Sequence, residues 1–425
     1  MSLWRHRDFR RFWSAQAVSE LGDRVTELAL PLIAVVGLHA SPRQVGLLTA
    51  AVWVPNLASV VVGTWVDRRR HKRRLMIGAD LGRAVILLSL PVAYWLGGVT
   101  LAQLYGVAML VGLVKVVFDT AYPSFFVRLL HREDFMEANS KLSATRSLSY
   151  VVGPAIGGAL VQALTAPVAV LVDAASFFLS ALQLSRIKTL EVQPEASADS
   201  LLRQARAAVT LMMRHRLLRA DLGCATTVNF FNFIGQAVLI LFANRVLGLS
   251  AGAIGLAVGV GASGGLLGAV LANRLADWIG LGRLVAISAV AFPGAIAIAA
   301  LAAGPVWSRA VLLGCAEFVG GFAVMCFDIP LNSMKATVIP DRVRSRVAGA
   351  FSTVNYGIRP VGAVVGGFLG SAIGVRDTLL ISAAGGALSV LWLIGSGILQ
   401  VRQLVDLEPI EDPSAHNMPA GGKRG

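Results

Sequence analysis

The stretch "GTWVDRRRHKRRL", Gly63 to Leu75, places seven Arg, Lys or His residues among thirteen. On a soluble surface a block this basic reads as a nucleic-acid patch or a localisation signal. Here it joins two long apolar runs. A helix needs about 20 mostly apolar residues to cross a hydrocarbon core of ~30 Å. Runs of that length flank the block and fill the chain almost end to end. Between such spans, Arg and Lys mark loops that stay in the cytoplasm. The block is therefore first a topological anchor.

Composition points the same way. The chain has 425 residues, 56% hydrophobic and 15% charged, with a mean hydropathy of +0.69. A soluble domain carries about 25% charged residues. A net charge of +14 would suggest nucleic acid in a soluble protein. The basic residues lie between apolar spans instead, so no nucleic-acid partner is expected. Cys224, Cys315 and Cys326 lie in or beside apolar spans without a CxxC pair. That argues against disulfides and against a metal site. No signal-peptide cleavage site follows "MSLWRHRDFRRFW". No GxxxxGK[ST] or HExxH motif occurs, so neither nucleotide hydrolysis nor enzyme chemistry is expected, and no cofactor.

Twelve spans are expected, over about 12–37, 43–66, 75–97, 101–125, 143–164, 167–187, 222–246, 251–275, 281–303, 308–332, 346–370 and 376–399. Their connections alternate between basic ("RHRDFRR", "DRRRHKRR", "DRVRSR") and nearly neutral ("LGGVT", "LTAP", "RVLGLS"). Both termini are thus expected in the cytoplasm, in a multi-pass protein of the cell membrane. Residues 1–187 would form one six-helix bundle and 222–400 a second. Residues 188–221, with "DSLLRQARAAVTLMMRHRLLRAD", would form a cytoplasmic linker with a surface-lying amphipathic helix. Residues 401–425 would form a disordered cytoplasmic tail.

The chain repeats itself. "SPRQVGLL" (41–48) returns as "SAGAIGLA" (250–257), Asp67 as Asp277, Phe118–Asp119 as Phe327–Asp328, and Gly157–Gly158 as Gly366–Gly367. The offset is 209 or 210 each time. A constant offset over four separate matches implies two six-span halves related by parallel duplication, with an axis along the membrane normal.

Twelve spans in two repeats and a long middle loop resemble the major facilitator superfamily. The loop between spans 2 and 3 is similar to that family's signature: Gly63, Asp67, Arg68, Lys72 and Leu75 match, while Trp65 and Arg70 depart from it. In the second copy Leu275, Ala276, Asp277 and Gly280 match and the basic positions are thin. Span 5 carries "SYVVGPAIGG", which resembles a motif of the drug-exporting branch, with Ser149 at its first Gly. The start of the chain and "LMIGADLGRA" look most like enterobactin-exporter-like and macrolide-efflux-like proteins. The resemblance implies a gate at Gly63, Asp67, Arg68, Lys72, Asp119, Asp277, Gly280 and Asp328. Asp119 would be a partner for the basic loop. It also implies a kinked interface between halves at Gly153, Pro154, Gly157, Gly158, Pro360, Gly366 and Gly367. Close helix packing of small residues explains those glycines equally well.

The chemistry concentrates in span 1. Glu20, Asp23, Arg24 and Glu27 follow i, i+3, i+4, i+7 and share one helical face. Each charge at the helix centre costs roughly 2.5–3.5 kcal/mol, so the stripe must face protein or a wet cavity. A purely structural ion pair of Arg24 with Glu20 or Glu27 is the plain alternative, but one Arg cannot neutralise three acids. In the second half the same places hold Asn229, Asn232 and Gln236. Amides hydrogen-bond but do not exchange protons near neutral pH. Proton coupling is thus expected on Asp23 or Glu27, with the amide face handling polar parts of the substrate. Lys115 stands one turn before Asp119 and is expected to pair with it or to join the cavity. Arg359 is expected to counter the span-1 acids or to bind an anionic substrate. Glu317 and Asp173 are placed nearer the outer side, with a pair or a transport role equally open.

The expectation is an all-α integral membrane fold of twelve helices in two pseudo-symmetric six-helix bundles. It would serve as a monomeric secondary transporter, exporting a small amphipathic organic compound such as a drug, a siderophore or a secondary metabolite. The proton gradient would drive it by alternating access. Its partners would be a small-molecule substrate, protons and the lipid bilayer. The alternatives are an importer or facilitator of the same fold, or a membrane sensor that moves nothing.

Overall fold

The computed structural model describes residues 3–130, 132–188 and 209–407, and these are helical throughout their spans. Most of the expected linker and the tail from 408 lie outside the described residues; of the linker helix, 209–214 is seen as helix. Eight helices among the described residues are long and apolar enough to cross a membrane unaided. Spans 1 and 11 are continuous helices as well, while spans 2, 9 and 12 are interrupted where the sequence breaks them.

Span 1 is Arg7–Leu32, closed by a π turn over Ile33–Gly37. Span 2 is broken: Pro42–Trp53, a 3₁₀ turn Val54–Ala58 around Pro55, then Ser59–Asp67. Proline removes a backbone donor and clashes with the preceding turn, which forces the change of pitch. Spans 3 to 8 are Lys72–Trp95, Leu101–Leu129, Phe135–Leu164, Ala166–Ser185, Arg216–Arg245 and Ala251–Ile279. Span 9 breaks after Pro293 into Leu281–Gly294 and Ile296–Ala300. Spans 10 and 11 are Val306–Val338 and Asp341–Ala372.

Span 12 corrects the expectation of a continuous helix over 376–399. It is α-helical only over Val375–Ala387, then 3₁₀ over Leu388–Leu393. Gly395 and Gly397 take φ of +73° and +87°, a region open to glycine at no steric cost. The chain turns there and pairs with the start of span 9: the Gly282 N–H donates to the Val401 carbonyl at 2.9 Å.

Within the first half, span 1 packs on spans 5 and 6, and span 3 on spans 4 and 6. Within the second, span 7 packs on 11 and 12, and span 10 on 8 and 9. The halves meet through span 5 against span 8 and span 2 against span 11. Both contacts are glycine to glycine. A Cβ added at Gly46 would stand 2.6 Å from the Gly367 Cα, and one at Gly158 would stand 3.1 Å from the Gly255 Cα. Gly46 and Gly255, and Gly158 and Gly367, are each 209 residues apart. The two contacts are therefore images of each other under the duplication. The neighbouring glycines pack within the halves instead. Gly157 lies against Val25 and Gly366 against Ile234, each inside its own half.

All these seams lie at the end bearing the near-neutral loops. There the Gly252 N–H also donates to Gln162 Oε1 at 3.0 Å, and Arg245 Nη2 to the Val35 carbonyl at 3.0 Å. Toward the basic end, span 2 and span 11 touch last where Leu57 meets Gly357. One turn further along the same faces, Val61 and Thr353 are exposed. The molecule is shut at its neutral end and cleft at its basic end.

Candidate functional site

The span-1 stripe is the hub of an ion-pair network. Arg24 Nη1 lies 2.5 Å from Glu27 Oε2, and Nη2 lies 3.6 Å from Glu20 Oε2. Glu20 also takes Arg146 Nε of span 5 at 3.2 Å. Gly153 of span 5 leaves room for Arg24, whose Cγ would stand 2.5 Å from a Cβ there. One turn earlier, the Tyr150 ring lies 3.8 Å from the same guanidinium. Glu27 is 57% exposed although it lies deep in the span, so it faces the cleft.

Asp23 points to the other side of the stripe. Lys115 Nζ of span 4 donates to it at 2.8 Å, and Arg83 Nη1 of span 3 lies 3.8 Å away. The Lys115–Asp119 pair expected from the sequence does not form; the shorter reach is across to span 1. Arg83, 1% exposed, also bonds Asp80, and the Phe118 and Phe177 rings flank its guanidinium at 4.9 and 3.9 Å. Asp80 accepts from Ser180 of span 6 at 2.6 Å. Asp173, placed nearer the outer side by its position in the sequence, lies against this network: Thr26 and Ser176 donate to it. Gly22 makes that approach possible, since a Cβ there would stand 2.4 Å from Asp173 Oδ1. Spans 1, 3, 4, 5 and 6 are thus tied together in the first half.

Asp80 and Arg83 are the residues sequence reasoning missed. The signal was present: two opposite charges at i, i+3 inside an apolar run, a spacing that puts them on one face. Spans 9, 10 and 12 offer no copy of this network. In span 9, Arg283 is followed by no charged residue until Arg309, and the places of Lys115 and Asp173 hold Val324 and Ser382.

The second half meets the cleft with amides. Asn229 Nδ2 donates to the Ala225 carbonyl at 2.9 Å and to Asn355 Oδ1 at 3.1 Å. Asn232 is half-buried and Gln236 exposed, and neither amide has a hydrogen-bond partner among the described residues. Arg359 does not counter the span-1 acids. Its Nε donates to Asn229 Oδ1 at 3.2 Å, and its guanidinium lies 4.4, 4.5 and 5.2 Å from the Trp53, Tyr356 and Phe233 rings. Glu317 has no ion pair or hydrogen bond among the described residues.

The gate residues are scattered. The side chain of Asp67 lies outside the described residues. Lys72 is buried and donates to the Val66 carbonyl, capping the end of span 2. Arg68, Asp119, Asp277 and Asp328 are exposed, and none of the three acids forms an ion pair within 4.0 Å among the described residues. A Cβ added at Gly63 would stand 3.8 Å from Thr120 Cγ2 of span 4, an ordinary contact, so the site has room for a side chain. Gly280 sits at φ +90°, so its place in the motif is conformational. Pro154 and Pro360 stand inside spans 5 and 11. No group of His, Cys, Asp or Glu suited to a metal ion occurs among the described residues.

The model of the Major Facilitator Superfamily matches residues 12–363. The chain belongs to that family. It is therefore a multi-pass membrane transporter rather than an enzyme. The multidrug efflux pump Tap of Mycolicibacterium fortuitum is 26% identical over 372 residues, 84% of this chain and 88% of Tap. The enterobactin exporter EntS of Salmonella choleraesuis is 22% identical over 412 residues, 96% of each chain. Among solved structures, the nucleoside transporter NupG superposes with a TM-score of 0.75 at 13% identity, covering 92% of this chain and 99% of NupG. That likeness is one of fold.

Proposed function

We propose that this major facilitator chain is a proton-coupled exporter of a small amphipathic organic compound. Positive loops stay in the cytoplasm, so the basic end faces inward, both termini with it, in the cell membrane. The cleft then opens to the cytoplasm, and substrate enters from there. The names of Tap and EntS, an efflux pump and an exporter, support the same direction.

The observation that carries the proton coupling is the charge count around Asp23. Four carboxylates (Glu20, Asp23, Glu27 and Asp80) share four cations (Arg24, Arg83, Lys115 and Arg146), and a fifth, Asp173, is held beside them by hydroxyls alone. One carboxylate is left without a cation, and a proton that arrives and leaves fills the deficit. Glu27 is open to the cleft, and Asp23 joins it to the buried members. The second half meets the cleft with Asn229, Asn232 and Gln236 in place of the span-1 acids and suits substrate contact. The halves rock about the glycine seams to open alternately.

The test is flux in proteoliposomes under an imposed pH gradient, over a panel of amphipathic compounds. Asp23→Asn and Glu27→Gln should abolish gradient-driven flux while exchange without a gradient persists. Unchanged coupling in both variants would refute the assignment. Flux indifferent to the gradient in the unmodified protein would make it a facilitator.

A further inference from the structure

One cation–π pair in each half has its partners exchanged across the duplication. Tyr150 and Arg359 are 209 residues apart, as are Arg24 and Phe233. In the first half Arg24 of span 1 lies on Tyr150 of span 5; in the second, Arg359 of span 11 lies by Phe233 of span 7. Arg24 has two carboxylates, Glu20 and Glu27. The places equivalent to those acids hold Asn229 and Gln236. Arg359 thus keeps the cation and loses both anions. One amide oxygen takes its Nε, and neither terminal nitrogen has an acceptor among the described residues. Nor are those nitrogens sealed off as unsatisfied buried atoms, so the cleft reaches them. Asp328, whose charge is felt at Arg359, lies beyond 4.0 Å.

We propose that Arg359 and its aromatic cage of Trp53, Tyr356 and Phe233 form a receptor for the acidic group of an aromatic organic anion. The assignment rests on the transporter reading above and narrows its substrate class. A guanidinium presents a planar fork that matches a carboxylate or phosphate through two parallel hydrogen bonds. The two terminal nitrogens supply that fork. The three rings supply an apolar wall for the flat body attached to the acid. The free amides of Asn232 and Gln236, one and two turns along span 7 from Asn229, offer polar contacts to the rest of the molecule. The substrate's acid then stands where Glu20 and Glu27 stand in the first half.

The test is equilibrium binding to the purified protein in nanodiscs, with no gradient applied. 2-Naphthoate is the probe and 2-naphthamide its neutral counterpart, read by quenching of tryptophan fluorescence. Naphthoate should bind saturably and at least tenfold more tightly than naphthamide. Arg359→Gln should cut naphthoate affinity to the level of naphthamide and so remove that preference. Arg359→Lys, which keeps the charge but not the fork, should fall between. Equal binding of acid and amide by the unmodified protein overturns the receptor without recourse to any variant, and so does an absence of saturable naphthoate binding. Because the gradient is absent, failure here leaves gradient-driven flux intact as a separate result. Loss of flux with anion preference retained would count against the transport reading alone.

Discussion

Substituting Gly46 by alanine should tip the molecule toward its other open state. The new Cβ would stand 2.6 Å from the Gly367 Cα and 2.7 Å from the Ala363 carbonyl oxygen. Carbon atoms rest at about 3.5–4.0 Å, so the overlap is close to 1 Å, and both neighbours are backbone that no rotamer change can move. An overpacked contact costs roughly 1–3 kcal/mol. The cost falls only on the state in which spans 2 and 11 touch, so the ratio of states should shift by about 5- to 150-fold. The readout is a spin-label pair at Val61→Cys and Thr353→Cys, across the cleft at the basic end, with the native cysteines replaced. In nanodiscs, Gly46→Ala should move the distance distribution to shorter values. Gly255→Ala, whose Cβ would stand 2.3 Å from the Pro154 carbonyl oxygen, should do the same at the symmetry-related seam. The double variant should shift further than either. Identical label distances in all four proteins would refute control of the equilibrium by the seams.

Arg83→Met should lower stability by roughly 3–5 kcal/mol, because Asp80 is left buried without its cation; the thermal midpoint in detergent measures it, and Asp80→Asn in the same chain should recover much of the loss. His215, at the entry to span 7, has its basicity lowered by burial, and its Nδ1 has no partner. The folded form then binds fewer protons than the unfolded, so stability falls as pH drops below about 6.5. His215→Gln should lose less of its thermal midpoint between neutral and mildly acid pH than the unmodified chain; an identical loss would contradict the assignment.

The span count, the duplication and the span-1 stripe are legible because charge and length are written directly in the sequence. Which way each helix faces is not. In a membrane, lipid-facing and protein-facing positions are both apolar, so the pattern that reveals a soluble helix's buried side is absent. Lys115 could therefore reach Asp119 on its own helix or Asp23 on another, and only packing decides for Asp23. Arg359 stands out in the sequence as a charge within a span, but its cage joins residues more than three hundred positions apart, and no local spacing announces that. The end of span 12 escapes a hydropathy reading because the apolar run continues through Gly395 and Gly397 while the helix does not.

The unequal distribution of charge between the halves has a mechanical side. The first half is cross-braced: ion pairs and hydrogen bonds tie spans 1, 3, 4, 5 and 6 to one another. Deforming it would part the buried Arg83–Asp80 pair, which has no water to turn to. The second half is held mostly by apolar and small-residue packing, which tolerates sliding, and among the described residues it contains two of the three broken spans, 9 and 12 against span 2 in the first half. When the two halves rock, the first should turn as a stiff lever and the second should yield around it. A duplicated chain of this kind begins with two equal partners and ends with a frame and a flexing jaw.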